Sequence, residues 1–401
     1  MPTSSGTPAA PRLRLGVYAD LRYRRRGGRV STDFAFVQFL AGLEPRVAEL
    51  VVFGRLDPEP GDEPYALPEG ARFVALPHYP RVTALRGVAR SLLGARRAFR
   101  AELGDLDAVW LFGPHPLSLA FARLARRHGT PVFLGVRQDF PHYVRSRLPG
   151  RGWAWAVPVA QGLERAFRRF ARRAPAVVVG EALGRSYRAA GGSVLVTGFS
   201  LVRAGDLVSA DEALGRSWEG DLRLLWVGRV DPEKDPVLLA DVLAALGPRW
   251  RLTLVGVGRL EEAVARRAEE LGVRGRIEFA GYVPNGPELR ARYRASHVLV
   301  NVSLTEGVPQ VVFEAHAAGV PVVATDVGGV REALGDGELG LLVPPRDAAA
   351  VARAVERLAG DAGLRRRLVE AGLEHARRET LDAQLDRILA FFASELAQPP
   401  S

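Results

Sequence analysis

The sequence contains no cysteine, one methionine and one lysine among its 401 residues. Without cysteine, the chain has no disulfide bond, no thiol nucleophile and no zinc–thiolate site. No apolar run approaches the roughly 20 residues that a membrane-spanning helix requires. Residues 1–11 are polar and rich in proline and serine, unlike a signal peptide, and they are predicted to form a disordered tail. We therefore expect a cytoplasmic globular protein.

Among the 55 basic residues, only Lys234 is a lysine. A compact ammonium group suits a tight phosphate site better than the wider guanidinium fork, although a lone lysine also arises by chance. The net charge is +15 in residues 1–200 and −5 in residues 201–401. The basic first half favours an anionic partner such as a membrane surface, nucleic acid or a phosphorylated substrate, or it reflects a genome rich in arginine codons.

Two successive runs of alternating strand and helix patterns divide the chain. The first run covers residues 12–202 and the second covers residues 222–380, with a polar, glycine-containing linker at residues 203–221 between them. Residues 381–401 are predicted to form a C-terminal helix that could cross back to the first domain. This alternation predicts an α/β fold of two doubly wound, Rossmann-like domains that face each other across a cleft.

One βαβ unit in the second half carries two unusual carboxylates. A strand pattern at residues 298–302 is followed by a polar turn, a helix at residues 309–318 and a second strand at residues 321–325. Glu306 lies in the turn, and Glu314 lies within the largely apolar helix. A buried carboxylate is costly without a partner, and ligands bind at the carboxyl ends of strands in such sheets. Both glutamates are therefore predicted to bind a ligand.

Further charged residues and glycines follow the neighbouring strands. Arg229 and Lys234 lie in the strand-to-helix turn after residues 222–227, where anions bind. Gly256 follows the next strand, and Gly281 follows a third. Two cations that suit phosphates and two carboxylates that suit hydroxyl groups together predict a pocket for a nucleotide sugar.

Two motifs resemble those of a known family. The segment GRVDPEK at residues 228–234 resembles the stretch GRLxxxKG, with Asp235 in place of the usual final glycine. The segment TEGVPQVVFEAHAAGVPVVATDVGGVRE at residues 305–332 resembles the E-x7-E signature and the turn after it. Both motifs are typical of the retaining glycosyltransferases of family 4, the group 1 glycosyltransferases, which have the GT-B fold. The resemblance extends over residues 13–396 and is stronger in the second half.

The resemblance implies a role for each matching residue. Arg229 and Lys234 would hold the donor diphosphate and stabilise the departing nucleotide. Glu314 would accept hydrogen bonds from the ribose, and Glu306 would orient the transferred sugar. Further donor contacts would come from residues near the phosphates, the sugar and the base, namely Gly27, Gly28, Gly256, Tyr282, Val283, Gly307, Val308 and Pro309.

The same resemblance implies the reaction. The chain would transfer a sugar from a nucleotide-sugar donor to a glycan, lipid-linked or small-molecule acceptor, with retention of configuration by front-face displacement. The donor would be a co-substrate, and the family uses neither a metal nor a cofactor. Such an enzyme of glycan biosynthesis would be cytoplasmic, or peripheral at the inner face of the cell membrane.

The first half contains a glycine pair after its first predicted strand. Gly27 and Gly28 follow the strand pattern at residues 13–19 and precede a helix pattern at residues 30–43. A strand, a glycine turn and a helix direct backbone N–H groups at a phosphate. These glycines are therefore predicted to touch the donor phosphates from the first domain.

The first half departs from the family at one important position. The family usually places a histidine near the reacting sugar, at the end of the strand that matches residues 131–136. In this sequence Arg137 stands there. Either Arg137 or Asp139 could fill that space, or His115 at the end of the preceding strand could reach it. His115 could equally be a structural histidine of its loop.

Two stretches of the first half could contact a membrane. Residues 81–103 form a basic helix pattern, which suits an anionic membrane or an ordinary surface helix with one buried face. Residues 151–173 interleave aromatic residues with arginines, which suits an interfacial anchor or the packing of a core helix.

Three other classes of function are compatible with parts of the sequence. A dinucleotide-dependent dehydrogenase would need G-x-G-x-x-G, but Glu261 occupies the place of the third glycine. A different GT-B enzyme, such as a nucleotide-sugar epimerase, would share the donor pocket. A non-enzymatic protein that binds nucleic acid or an anionic membrane would use the basic half, although no nucleic-acid-binding motif is present.

Overall fold

The computed structural model describes residues 12–79, 85–147 and 154–398. The predicted disordered tail at residues 1–11 lies outside these described residues. Within the described ranges, no helix is both long and apolar enough to cross a membrane.

The chain divides into two compact units. The first unit contains the chain up to Val178, the segment Leu183–Val196 and the chain from Leu385 onward. The second unit contains Val179–Ala182 and Thr197–Gln384. Each unit has its own sheet and its own apolar core.

A mainly parallel sheet forms the centre of the first unit. Its strands are β1 (Arg14–Arg26), β2 (Arg29–Thr32), β3 (Glu49–Leu56), β4 (Tyr65–Ala66), β5 (Ala71–Leu76), β6 (Ala108–Gly113), β7 (Val132–Val136), β8 (Ala176–Val179) and β9 (Val194–Thr197). The parallel strands lie in the order β5, β3, β1, β6, β7, β8. Strands β6 to β8 are almost entirely buried, as expected where helices cover both faces of a parallel sheet.

The described residues of this unit also form six α-helices. They are α1 (Val37–Leu43), α2 (Leu85–Glu102), α3 (Pro116–His128), α4 (Phe140–Arg147), α5 (Ala156–Ala171) and α6 (Glu181–Arg188). The strand-and-helix alternation that the sequence predicts is confirmed for this unit.

Gly27 and Gly28 form the turn of a β-hairpin rather than a strand-to-helix turn. β1 continues to Arg26, and β2 runs back antiparallel to it. Both glycines have positive φ, +55° and +85°, as a two-residue hairpin turn requires. The predicted helix at residues 30–43 is therefore wrong in its first half, because α1 begins at Val37. No helix N-terminus follows the glycine pair, and contact of these glycines with a donor stays a prediction.

The basic stretch at residues 81–103 forms α2 from Leu85 onward, and residues 81–84 lie outside the described part of the chain. Ala95 and Phe99 are fully buried on one side of this helix. The arginines of its second half are exposed, namely Arg96, Arg97 and Arg100. This helix therefore has one buried face, as an ordinary surface helix does.

The aromatic stretch at residues 151–173 contributes to both core and surface. Phe167 of α5 is fully buried in the core of the first unit, whereas Trp155, just before that helix, is 46% exposed. Trp153 lies outside the described residues. Core packing, one of the two predicted roles, is therefore confirmed for Phe167.

A six-stranded, fully parallel sheet forms the centre of the second unit. Its strands are β10 (Leu222–Val227), β11 (Trp250–Val255), β12 (Ile277–Gly281), β13 (Val298–Asn301), β14 (Val322–Thr325) and β15 (Leu341–Val343). They lie in the order β12, β11, β10, β13, β14, β15. This is the Rossmann order, in which the direction of winding reverses between the first and the fourth strand.

Helices α7 to α14 accompany these strands. They are α7 (Ala210–Leu214), α8 (Leu238–Ala245), α9 (Glu261–Glu270), α10 (Pro287–Arg294), α11 (Gln310–Ala317), α12 (Val330–Ala333), α13 (Ala348–Gly360) and α14 (Ala362–Arg378). The predicted βαβ unit around Glu306 and Glu314 is confirmed as β13, α11 and β14.

The segment at residues 203–221, predicted to be a linker, packs as part of the second unit. It contains α7, and the Val208 N–H donates to the Ala317 carbonyl at 2.9 Å. A Cβ on Gly319 would lie only 2.3 Å from that of Ala213, so the two backbones approach closely. The polar composition of this segment therefore marks an exposed face rather than a free connection.

The last helix, α15 (Leu381–Leu396), ends the described chain. From Leu385 onward it belongs to the first unit. There the Phe392 ring stacks on Phe133, with ring centroids 3.9 Å apart, and it contacts Trp110 edge-on at 5.2 Å. Aromatic packing therefore joins this helix to the core strands β6 and β7.

Candidate active site

The point where winding reverses in the second sheet lies between β10 and β13, which are hydrogen-bonded neighbours. The loop after β10 carries Arg229 and Lys234, and the loop after β13 carries Glu306. Ligands of doubly wound sheets bind in the crevice outside the carboxyl ends of the strands at such a point. Topology alone therefore brings these three residues to the expected ligand position.

Lys234 and Glu306 form a short ion pair at this position. The Lys234 Nζ lies 2.5 Å from Glu306 Oε1. The Ser303 hydroxyl lies 2.7 Å from the same oxygen, and the Asn301 amide nitrogen lies 3.4 Å from it. All of these contacts involve Oε1. Among the residues that the structure describes, Glu306 Oε2 has no hydrogen-bond partner, so one oxygen of this nearly buried carboxylate remains available to a ligand.

Buried polar groups hold the turn that presents Glu306. The Ser303 N–H and hydroxyl lie 3.2 and 2.7 Å from Asn301 Oδ1. The Thr325 hydroxyl donates to the Ser303 carbonyl at 2.6 Å. The motifs in the sequence do not point to these residues, although a polar side chain at the end of an apolar strand, as in VLVN, is a signal for Asn301.

The turn that carries Lys234 ends at a residue in the left-handed conformation. Residues Pro232–Lys234 form one 3₁₀ turn, and Asp235 follows with a φ of +46°. Glycine adopts this conformation most easily, and aspartate is one of the few other residues that tolerate it. The departure from the family motif at Asp235 therefore leaves the shape of the turn intact.

The Arg229 guanidinium is held by two carboxylates. It lies 3.1 Å from Asp231 Oδ2 and 2.5 Å from Glu233 Oε1. Its side chain is nonetheless 43% exposed, and a guanidinium has five N–H donors. Both predicted phosphate cations are thus positioned by carboxylates, and each retains donors that an anion can use.

Glycines allow the loops after β10 and β11 to pack backbone against backbone. Gly256 has a φ of +134°, and a Cβ on it would lie 1.7 Å from the Gly228 carbonyl oxygen. A Cβ on Gly258 would lie 2.4 Å from the Val230 carbonyl oxygen. No side chain fits at either position. The role of Gly256 seen here is to shape the loop beside Arg229, and direct contact with a donor stays a prediction.

A similar close approach occurs beside Glu306. A Cβ on Gly328 would lie 2.0 Å from the Glu306 carbonyl oxygen, and a Cβ on Gly329 would lie 2.3 Å from the Gly307 carbonyl oxygen. The turn after β14 therefore supports the turn after β13. Of the residues that follow Glu306, Gly307 is exposed, Val308 is partly buried and Pro309 immediately precedes α11.

Two exposed apolar side chains lie at the carboxyl ends of β11 and β12. Val257 is 48% exposed and Tyr282 is 52% exposed. Their strands are neighbours, because Val255 pairs with Gly281. Val283, which is also a predicted donor contact, is buried instead. Exposed apolar surface beside a polar ligand position suits the face of a planar base.

Glu314 is partnered within the protein. Its Oε1 accepts a hydrogen bond from the Asn285 amide at 2.8 Å, and its Oε2 accepts one from the Tyr293 hydroxyl at 2.6 Å. Burial raises the pKa of Glu314, and these hydrogen bonds oppose that shift. Each carboxylate oxygen has a second acceptor position, so a ribose hydroxyl can still bind.

The helix that carries Glu314 is fixed by a pair of histidines. His316 Nε2 lies 3.0 Å from the Leu339 carbonyl, so Nε2 carries the proton and Nδ1 accepts. Its Nδ1 lies 3.3 Å from His375 Nδ1 of α14, which must then donate. Burial lowers the pKa of His316 to about 3. The neutral pair therefore anchors α11 without taking part in the site.

His115 lies in a buried polar cluster of the first unit. Its Nδ1 accepts from the Leu117 N–H at 3.2 Å and so caps the N-terminus of α3. Its Nε2 lies 3.2 Å from the Tyr79 hydroxyl and 3.5 Å from Asp20 Oδ2. Arg55 Nε donates to Asp20 Oδ1 at 2.7 Å. These contacts favour the structural alternative for His115.

The charges of this cluster are coupled. Burial lowers the pKa of His115, and Asp20 opposes that shift. Burial would raise the pKa of Asp20, but the charges of His115 and Arg55, with hydrogen bonds from Tyr79 and Arg55, outweigh burial and lower it. The cluster is therefore built around one ionised carboxylate, that of Asp20 within β1, which lies beside Arg55 near the end of β3 and His115 after β6.

Arg137 makes different contacts from those of His115, although their strands β6 and β7 are neighbours. Arg137 follows β7, and its guanidinium lies 4.3 Å from the ring centroid of Phe36 and 5.7 Å from that of Phe112. Asp139 Oδ1 accepts the His142 N–H at 2.9 Å. The three residues that could replace the missing histidine therefore have different partners. Among the described residues, no group of three His, Asp or Glu side chains could hold a metal ion.

Comparison with known proteins finds relatives of the second half of the chain. Residues 215–375 match the family model for glycosyl transferases group 1. The chain is 37% identical to the D-inositol 3-phosphate glycosyltransferase of Thermomonospora curvata over 181 residues, which are 42% of each chain. It is 36% identical to that of Acidothermus cellulolyticus over 211 residues, 50% of this chain and 46% of the relative. The chain therefore spans about half the length of the curated relatives it matches.

Solved structures give the fold over nearly the whole chain. The sucrose-phosphate synthase of Thermosynechococcus elongatus superposes with a TM-score of 0.71 at 21% identity, covering 96% of this chain and 100% of that one. Anabaena HepE in complex with UDP-glucose gives a TM-score of 0.65 at 16% identity, covering 94% and 100%. The predicted GT-B fold is confirmed.

We predict that His115→Ala weakens the first unit locally. The change removes a helix cap and leaves the Tyr79 hydroxyl and Asp20 with fewer partners, at a cost of about 1–3 kcal/mol. Hydrogen exchange read by mass spectrometry should be faster than in the wild type in peptides of the first unit. It should be unchanged in peptides around Glu306. The matched control is His128→Ala, at an exposed histidine. Unchanged exchange with complete loss of turnover would instead give His115 a chemical role.

Proposed function

We propose that this chain, whose residues 215–375 match the family model for glycosyl transferases group 1, transfers a sugar from a nucleotide-sugar donor to an acceptor. The observation that carries the proposal is the pair of Lys234 and Glu306 at the winding reversal of a Rossmann sheet. A cation and a carboxylate at one point match a ligand in which a phosphate adjoins a hydroxylated ring. HepE, whose fold this chain shares, is known with bound UDP-glucose.

Glu306 is proposed to orient the transferred sugar through Oε2. Its other oxygen is fixed by Lys234 and Ser303, so the carboxylate is held in place before the donor binds. A preorganised acceptor of this kind costs little reorganisation when the substrate arrives. Lys234 has three ammonium donors and uses one on Glu306, which leaves two for the donor diphosphate.

Arg229 is proposed to share the charge of the leaving nucleoside diphosphate. Its partners Asp231 and Glu233 hold the guanidinium in place, and its exposed N–H groups would bind phosphate oxygens. As the bond to the sugar breaks, negative charge grows on the phosphate, and fixed cations stabilise that charge most in the transition state.

The rest of the donor is proposed to follow the edge of the sheet. Glu314 would accept from the ribose with the acceptor positions that Asn285 and Tyr293 leave open. The base would lie on the exposed faces of Tyr282 and Val257. The order of phosphate, ribose and base then runs from the loop after β10 toward the loop after β12.

We predict that Glu306→Gln lowers the rate of nucleoside diphosphate release from the cognate donor by roughly 100- to 1,000-fold, the usual loss for one preorganised polar group. The amide keeps the size of the side chain but removes the ion pair with Lys234. Glu338→Gln, at an exposed glutamate of the same unit, is the matched control and should retain the wild-type rate. Equal rates for both variants would remove Glu306 from the mechanism.

The reaction is proposed to need no metal and to retain the configuration of the sugar, with the leaving phosphate assisting the acceptor from the same face. Arg229 and Lys234 would supply the charge that a metal supplies in other transferases. Excess EDTA should therefore leave the initial rate unchanged, and the glycoside formed should have the donor's anomeric configuration by proton NMR. Loss of activity that Mg²⁺ or Mn²⁺ restores, or an inverted product, would contradict this.

Acceptors are proposed to be glycans, lipid-linked sugars or small molecules, reached with the first unit at an anionic membrane surface. Leu93 of α2 is 72% exposed next to the exposed arginines Arg96 and Arg97, and Trp155 and Val159 are 46% and 51% exposed. Apolar side chains beside arginines suit the interface of an anionic bilayer.

We predict that the protein sediments with phosphatidylglycerol vesicles at low salt and not with phosphatidylcholine vesicles. Leu93→Ser combined with Arg96→Ser should weaken this binding, because each basic residue contributes about 1 kcal/mol near an anionic surface. Salt at about 0.5 M should release the protein. Equal sedimentation with neutral and anionic vesicles, or with neither, would refute the proposed contact.

A further inference from the structure

Arg137 has no carboxylate partner among the described residues. Among the residues that the structure describes, its guanidinium forms no hydrogen bond and no ion pair, and its recorded contacts are with the faces of Phe36 and Phe112. By contrast, the arginines of the His115 cluster and of the candidate active site have carboxylate partners. Arg55 binds Asp20, and Arg229 binds Asp231 and Glu233.

Arg137 is a partly exposed cation. Burial lowers its pKa to about 10, with Tyr23 and Tyr143 opposing the shift, so the group remains a cation at neutral pH. Aromatic faces stabilise a cation by about 0.5–2 kcal/mol, but they accept none of its five N–H donors. The two rings contact the face of the guanidinium and leave its N–H groups available to a ligand.

The position of Arg137 suits a ligand. It directly follows β7, at the carboxyl edge of a parallel sheet. Phe112 is the penultimate residue of the neighbouring strand β6, and Phe36 immediately precedes α1. The one carboxylate close in sequence, Asp139, is turned toward the His142 N–H and so leaves Arg137 unneutralised.

We propose that Arg137 binds an oxyanion, a phosphate or a carboxylate, on the acceptor. A planar guanidinium pairs with such groups through two parallel hydrogen bonds, which is a match that neither histidine nor lysine provides. This proposal rests on the proposed glycosyl transfer. It assigns the anion to the acceptor because the cations proposed for the donor diphosphate, Arg229 and Lys234, belong to the second unit, whereas Arg137 belongs to the first.

The test measures binding of a matched series of hydroxylated probes by ligand-observed NMR, using glucose 6-phosphate, glucuronate and glucose. Arg137→Met keeps the apolar contact with both rings and removes the charge. Arg127→Met, at an exposed arginine of α3 in the same unit, is the matched control. We expect Arg137→Met to bind glucose 6-phosphate or glucuronate at least about tenfold more weakly, the usual loss for one charge-assisted pair. Arg127→Met should bind them as the wild type does, and affinity for glucose should be equal in all three proteins.

A second variant guards against misfolding. Arg137→Lys keeps the charge and loses the planar fork, so its affinity should lie between those of the wild type and Arg137→Met. If Arg137→Met loses affinity for glucose 6-phosphate alone, the site is specific for a phosphate on the acceptor. If it loses affinity for both anionic probes, the site binds oxyanions in general. Unchanged binding in Arg137→Met, an equal loss for glucose, or no binding of either anion to the wild type would overturn the proposal. If the wild type binds no nucleotide sugar, the proposed transfer is overturned instead.

Discussion

The ion pair between Lys234 and Glu306 is the contact on which the candidate active site depends. It joins the loops of two adjacent strands, β10 and β13, at the one place in the second sheet where winding reverses. The pair is partly desolvated, and it is supported by Ser303 and Asn301 on the same oxygen. Such a pair contributes little to stability by itself. Its value here is that it fixes a carboxylate and a cation side by side before any ligand binds.

Backbone packing makes this arrangement possible. Gly256 lies against Gly228, and Gly328 lies against Glu306, at distances that no Cβ permits. The loops after β10, β11, β13 and β14 therefore form one layer of interlocked turns. A side chain at these glycines would separate the turns and move Arg229 or Glu306 away from its partners. In the first unit, by contrast, His115 lies in a network of hydrogen bonds, whereas the contacts of Arg137 are with aromatic rings.

Much of the second unit follows from its sequence. Short apolar runs between glycine and proline residues specify its buried strands, and the spacing of Glu306 and Glu314 within a βαβ unit places both near a strand end. The first unit is less predictable from local patterns. The hairpin at Gly27 and Gly28 was missed because β1 continues through a run of arginines that reads as a loop. Long-range contacts determine the rest, because His115, which follows β6, meets Asp20 of β1 and Tyr79, which follows β5. No local pattern encodes such pairings.

The central claim is that Lys234 holds a phosphate while Glu306 holds the attached sugar. The most direct measurement compares the melting temperature of the protein with nucleotide sugars and with the corresponding nucleoside diphosphates, over uracil, guanine, adenine and thymine bases. A ligand at about 100 times its Kd adds about 2.7 kcal/mol to the free energy of unfolding. The account predicts that one nucleotide sugar stabilises the wild type more than its diphosphate does, and that Glu306→Gln abolishes this difference while the diphosphate still binds. No shift with any nucleotide, or a sugar-dependent difference that survives in Glu306→Gln, would contradict it.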